Sequence, residues 1–180
     1  MSLKCEISIT DLIDIATLVL AIVGSVFGYK QWKKSVILKR AEFINELTMN
    51  IRTDKNIRRV IYNIDYGVDW YDEKFHCSGE LEAEVDKTLS YFSYICYLRE
   101  QKLIEEGDFV FFKYEIDRIL TNNQVQDYLY NLYHFCGKST VPLSFEYLFK
   151  YGEKCKKFDK DFYKKDAYIY EAKYHHYLNF

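Results

Sequence analysis

The chain has 180 residues, 25 Lys+Arg against 27 Asp+Glu, a formal net charge of −2, one proline and 18% aromatic residues. So even a balance excludes the strong positive field of a general nucleic-acid binder, and the length allows one compact domain beside any membrane segment. The cysteines (Cys5, Cys77, Cys96, Cys136, Cys155) are odd in number and form no CxxC pair, which argues against a disulfide framework or a four-ligand zinc site.

The first element is the most informative. Residues 12–32, LIDIATLVLAIVGSVFGYKQW, hold fifteen consecutive uncharged residues between Asp14 and Lys30. The window 12–29 has Asp14 as its only charge and is close to the shortest helix that spans ~30 Å of hydrocarbon. Tyr29 and Trp32 stand where an interfacial aromatic belt would stand, and Lys30 can reach outward to headgroups. The segment is therefore predicted to be a transmembrane helix. A short buried core helix is the alternative; a cleaved signal peptide would carry its positive charge before the apolar run, not after it.

Charge sets the expected orientation. Residues 1–29 carry Lys4 against Glu6, Asp11 and Asp14, net −2. Residues 30–60 carry Lys/Arg at 30, 33, 34, 39, 40, 52, 55, 58 and 59 against Glu42, Glu46 and Asp54, net +6. Basic residues flanking a span stay cytoplasmic, so residues 1–11 are expected outside and everything after the span inside.

At 100° per residue, Thr10, Asp14, Ala21, Ser25 and Gly28 share a stripe ~60° wide, with Thr17 and Gly24 at its margin. Gly24 and Gly28 also make a GxxxG pair. Small residues on one face let membrane helices approach closely, so Asp14, Thr17, Ala21, Gly24, Ser25 and Gly28 are the candidate packing or pore face. A carboxylate facing lipid costs ~2.5 kcal/mol or more, so Asp14 is expected to face other copies, water or the outer headgroups; the alternative is that it simply marks the outer edge of the span.

Residues 33–52 have no helix breaker and can continue the membrane helix as a basic stalk. Trp32, Val36, Phe43 and Leu47 then form a seam at roughly heptad spacing, suited to sister copies. Lys30, Lys33, Lys34, Lys39 and Arg40 would face anionic lipid. An ordinary helix packed on its own body fits the same pattern.

Residues 53–152 read as an all-α bundle of four or five helices. Thr53 or Asp54 caps a helix with the apolar face Ile57, Val60, Ile61 and Ile64, ended by Gly67. A loop carrying Trp70, Tyr71 and Phe75 follows. The next helix opens at Ser78 or Gly79 and carries Leu81, Val85, Leu89, Phe92 and Cys96 to an end near Arg99. Asp108 starts a third helix with Phe109, Phe112, Ile116, Ile119 and Leu120 on one side, broken at Asn122 and Asn123. Val125, Leu129, Leu132 and Phe135 continue to Gly137, and a last helix presents Leu143, Tyr147, Leu148 and Tyr151. In the tail, 153–180, lysines alternate with Tyr163, Tyr168, Tyr170, Tyr174 and Tyr177. Its Phe158, Phe162 and Ile169 suit a helix that docks on a neighbour, and its tyrosines beside lysines suit single-stranded nucleic acid.

Catalytic signatures are missing: no GxxxxGK, GxGxxG, HExxH or GxSxG occurs. The nearest constellation is Arg118, Asn122, Asn123, Asp127 and His134, which can equally form ion pairs and caps. No catalytic residue, metal site or cofactor is expected.

An N-terminal span, a basic stalk and a tyrosine-rich helical domain with the stretches FFKYEIDRIL and VQDYLYNLYHF resemble small bacterial membrane-anchored proteins, in particular the membrane accessory proteins of type VI-B CRISPR systems with a divergent HEPN-type helical domain. HEPN ribonucleases carry Arg, four to six residues, then His. No arginine stands at that distance before His76, His134, His175 or His176. The resemblance thus implies a bacterial inner-membrane homo-oligomer that forms a depolarising pore in antiviral defence, with an RNA-guided effector protein or its RNA as partner. A non-conducting membrane-tethered adaptor and a membrane-bound HEPN-type ribonuclease are the other expectations.

Overall fold

In a computed structural model, residues 8–76, 79–170 and 174–178 are described. Cys5, Cys77 and Ser78, and the side chain of Tyr170, lie outside the described residues. The described chain is helical with no strand: α1 (Ile9–Thr53), α2 (Lys55–Asp65), α3 (Glu80–Glu100), α4 (Glu106–Thr121), α5 (Asn123–Ser139), α6 (Glu146–Lys154) and a single turn, α7 (Ala167–Tyr170). It divides into two units after Leu47.

The first unit is the greater part of α1. The helix starts earlier than the apolar run because Ser8 and Asp11 cap it reciprocally: Thr10 N–H donates to Ser8 Oγ at 3.2 Å, and Ser8 N–H donates to Asp11 Oδ2 at 2.9 Å. With no proline or glycine after Gly28 to stop it, α1 runs on through residues 33–52. Its buried side chains are Ile44 and Leu47.

The second unit holds α2 to α7. A single non-helical residue, Asp54, separates α1 from α2. Its carboxylate accepts from the N–H groups of Asn56 and Ile57 at 2.9 and 3.2 Å, so it caps the new helix. The expected face of Ile57, Val60, Ile61 and Ile64 is buried. Gly67 ends the helix at φ +61°, a left-handed conformation that costs glycine little, and Val68 N–H closes the turn on Asn63 C=O at 2.9 Å.

α3 is the hub and packs against α2, α4 and α6; α4 in turn packs against α5. Gly79 is its N-cap, and Val85, Leu89, Phe92 and Cys96 are buried as expected. α4 opens three residues before the expected Asp108. Glu105 is the N-cap, and Asp108 is its capping-box partner at the third helical position rather than the start. Asn122 makes the break between α4 and α5 and caps α5 by accepting from Val125 N–H at 3.1 Å. Leu143 precedes α6 instead of belonging to it.

The tail departs most from expectation. Among the described residues beyond α6 the one α-helical turn is residues 167–170, and Phe158, Phe162 and Tyr174 are buried on the chain's own body, while Ile169 stays exposed. One side of α5 holds the tail's backbone. Gln126 Nε2 donates to Lys157 C=O at 3.1 Å, and Tyr130 Oη donates to the carbonyls of Lys164 and Lys165 at 3.0 Å. His134 Nε2 donates to Phe162 C=O at 3.0 Å, and Asn131 Oδ1 accepts from Tyr177 N–H at 2.7 Å. Residues 126, 130 and 134 are one helical turn apart, so polar side chains on a single face capture tail carbonyls between 157 and 165. A tail without regular structure needs such partners for its buried backbone groups.

Candidate functional site

Two features stand out: the apolar length of α1 and a partly buried polar cluster in the body. In α1 an 18-residue window has a mean hydropathy of 2.0, and none of it is buried. The helix is long and apolar enough to cross a membrane. A core helix would bury one face; here Leu18, Leu20, Ile22 and Phe27 are all exposed, a run of apolar side chains of the kind that marks a membrane or protein contact.

The candidate packing face is equally open. Asp14, Thr17, Ala21 and Ser25 are exposed, and a Cβ built on Gly24 or Gly28 meets nothing within 4 Å. Thr17 Oγ1 donates to Ile13 C=O at 2.8 Å and Ser25 Oγ to Ala21 C=O at 2.7 Å. Both hydroxyls are satisfied inside the helix, so neither demands a polar neighbour. Asp14 differs: no hydrogen bond of its side chain to another described residue is found.

Before the stalk, the ring centres of Tyr29 and Trp32, the residues expected at an interface, lie 5.9 Å apart. Lys30, Lys33, Lys34 and Lys39 are exposed and Arg40 is partly buried. The proposed seam is not uniform. Trp32 and Val36 are exposed, Phe43 is partly buried, and Leu47 is buried together with Ile44, which the heptad spacing did not include. The exposed members of the seam are thus Trp32 and Val36.

The polar cluster joins segments far apart in sequence. Tyr71 Oη and His76 Nε2 are 3.0 Å apart, and His76 Nδ1 lies 3.1 Å from Glu82 Oε1. Tyr128 Oη donates to Asp86, and Asp127 Oδ2 meets His175 Nδ1 at 2.8 Å. Gln124 Oε1 accepts from the backbone N–H groups of Trp70 and Tyr71 at 3.2 and 2.6 Å. Rings of Trp70, Tyr71, Phe75 and Tyr128 pack edge-on or tilted around this cluster at 5.2–6.5 Å. The sequence gives no sign of it, because Asp127 and His175 stand 48 residues apart and neither belongs to a motif.

Burial dominates the electrostatics here. It raises the phenols of Tyr71 and Tyr128 far above their ordinary value, which keeps both protonated and able to donate. Burial also raises the Asp86 and Asp127 carboxyls, against the hydrogen bonds from Tyr128 and His175 respectively. A carboxyl raised in the folded state binds its proton more tightly there than in the unfolded chain, so stability falls as pH rises between the two values. Asp86→Asn keeps an acceptor for Tyr128 and removes the half-buried charge. It is expected to raise the thermal midpoint at pH 7, with the gain shrinking as pH falls into the ordinary carboxylate range; thermal unfolding across pH 3.5–7 checks this.

The residues grouped as the nearest catalytic constellation are dispersed. Arg118 pairs with Asp65 and Glu115, Asn122 is a cap, Asn123 begins α5, Asp127 meets His175, and His134 holds the tail. A cleft of about 700 Å³ beside α3 and α6 is lined by cations, among them Arg99 and Lys150, and by Glu100, Glu105 and Glu106. Arg99 is occupied there by a two-pronged pair with Glu106, at 2.8 and 3.0 Å. Two of the tail tyrosines expected to stack on nucleic acid are occupied too, while Tyr163 stays 40% exposed. Tyr174 is buried against Tyr130 at 4.5 Å, and Tyr177 packs on Tyr71 at 5.0 Å. Among the described residues no group of three or more His, Cys, Asp or Glu is placed to hold a metal ion.

No protein-family model, curated protein or solved structure gives a significant match to this chain.

Proposed function

We propose that this chain is a single-pass membrane protein that assembles into homo-oligomers through α1, and that the assembly perturbs the bilayer. The observation that carries the reading is the unburied 18-residue apolar window of α1, whose small-residue face has nothing packed on it. Lipid covers the larger side chains, and a second copy covers Gly24 and Gly28, where two helix backbones can approach closely. The charge step from −2 before residue 30 to +6 over residues 30–60 orients the helix with its body in the cytoplasm. The resemblance to CRISPR-associated membrane proteins supplies the biological setting: a depolarising pore of antiviral defence in a bacterial inner membrane, activated through an RNA-guided effector or its RNA.

The direct test measures oligomer mass and membrane leakage together. Gly24→Leu or Gly28→Leu leaves the isolated chain undisturbed, since the added atoms meet open space, yet blocks close helix approach. Either substitution is expected to lower the oligomer mass in mild detergent and to reduce dye release from liposomes at least several-fold. A reporter fused after Phe180 is expected to read as cytoplasmic.

A second reading, a tethered adaptor that does not conduct, is favoured by α4. Its core side faces inward, yet Val110, Phe111 and Tyr114 on the other side are 59%, 64% and 69% exposed. An apolar stripe of that kind suits a protein partner. A monodisperse monomer in several mild detergents, without leakage, would make the adaptor the better account.

A further inference from the structure

α2 is a short helix with two unlike faces. Ile57, Val60, Ile61 and Ile64 are buried. Opposite them, Lys55, Arg58, Arg59, Tyr62 and Tyr66 fall within an arc of ~100° at 100° per residue. All five are exposed, Tyr62 by 46% and Tyr66 by 79%, and Arg52 at the end of α1 is exposed just before them. The phenol rings lie 6.2 Å apart along the helix, and the Arg58 guanidinium sits 5.6 Å from the Tyr62 ring centre. Lys55, Arg58, Arg59, Tyr62 and Asn63 line a shallow groove of about 340 Å³.

The charge on this face is not neutralised locally. The two acids nearest to it are occupied elsewhere: Asp54 by Lys87 at 2.6 Å, and Asp65 by Arg118. Arg59 reaches Glu84 at 3.1 Å through one nitrogen. Arg52, Lys55 and Arg58 have no carboxylate partner among the described residues. A charged partner of opposite sign is therefore missing from the chain itself, and two large aromatic surfaces stand in water beside it.

We propose that this face of α2 binds single-stranded nucleic acid, with phosphates on Arg52, Lys55 and Arg58 and bases stacked on Tyr62 and Tyr66. Unpaired cations alone would suit any anion. Exposed rings interleaved with them at one-turn spacing select a partner that offers flat apolar faces beside its phosphates, and in a duplex those faces are already stacked on each other. The acidic body, sixteen Asp/Glu against seven Lys/Arg over residues 61–149, keeps the field local, so affinity is modest and sensitive to salt. This inference goes beyond the membrane reading and does not depend on it.

The test uses the full chain in non-ionic detergent and a fluorescent 20-nucleotide poly(U) probe, read by anisotropy between 50 and 200 mM KCl. Binding is expected, weaker for a duplex of the same length, with log K falling against log salt at a slope of about −2 for three phosphate contacts. Combining R52E, K55E and R58E is expected to lower affinity more than tenfold and to flatten that slope. Y62A with Y66A is expected to cost about tenfold per ring while leaving the slope in place. All five side chains are exposed, so unchanged thermal midpoints separate lost binding from lost fold. No binding at 50 mM KCl, or equal binding by both variants, overturns the proposal. So does a charge-reversal variant that alters only retention on phosphatidylglycerol-doped micelles, or only the oligomer mass, since the ridge would then serve lipid or a second copy.

Discussion

Phe162→Ala is expected to lower the unfolding free energy of the body by about 3–5 kcal/mol, the usual cost of emptying a fully buried aromatic site. Phe162 has no solvent exposure, stacks on Phe158 at 4.2 Å and meets Tyr130, Phe149 and Tyr174 within 6.1 Å. The loss should exceed what one side chain contributes by packing alone, because Phe162 also anchors a tail that otherwise depends on scattered hydrogen bonds from α5. Gly152 reports on the same contact from the other side. A Cβ there would lie 2.4 Å from Cε2 of the Phe158 ring, so Gly152→Ala forces the ring to move and is expected to cost about 1–3 kcal/mol. Denaturant titration of the full chain in detergent, followed by near-ultraviolet circular dichroism, measures both. An unchanged midpoint for Phe162→Ala would mean that the tail leaves the body in solution.

The second large effect is expected at the membrane. Leu18→Arg combined with Ile22→Arg puts two guanidinium groups on one helical face near the centre of the apolar window, where each costs about 2.5–3.5 kcal/mol on insertion scales. The pair should move the protein from the carbonate-resistant membrane fraction into the soluble or aggregated fraction. Neither side chain belongs to the body: Leu18 is 61% and Ile22 56% exposed. The body's circular dichroism should therefore be unaffected, which distinguishes failed insertion from misfolding. Full retention in carbonate-washed membranes would remove α1 as the anchor.

Much of the helical framework was legible because it rests on local rules. The face of α2, its Asp54 cap and its Gly67 stop follow from spacing and capping chemistry within a dozen residues. The same holds for the stripe of α3 and the break at Asn122. The apolar run of α1 was legible for a simpler reason: composition alone decides whether a helix can sit in hydrocarbon. Where local rules competed, the outcome was less readable. Asp108 reads as the start of α4 by its capping chemistry, and only the bond from Glu105 N–H to Asp108 Oδ2 at 3.3 Å shows that Glu105 is the cap and Asp108 its partner.

Non-local contacts decided the rest. Phe158, Phe162 and Tyr174 have the same apolar character whether they face a neighbour or their own core, so the tail's sequence could not choose between docking outward and folding back. The polar face of α5 chose, by offering donors at 126, 130 and 134 to backbone groups some thirty residues away. Similarly, the charges of residues 52–66 are visible in the sequence, but their availability is not. It depends on Asp54 and Asp65 being taken by Lys87 and Arg118, from α3 and α4. The sequence by itself determined the helices and the membrane-compatible segment, because both depend on properties of adjacent residues. Only the tertiary structure decided which aromatics are core and which cations remain unpaired, because each of those depends on a partner the chain brings from far away.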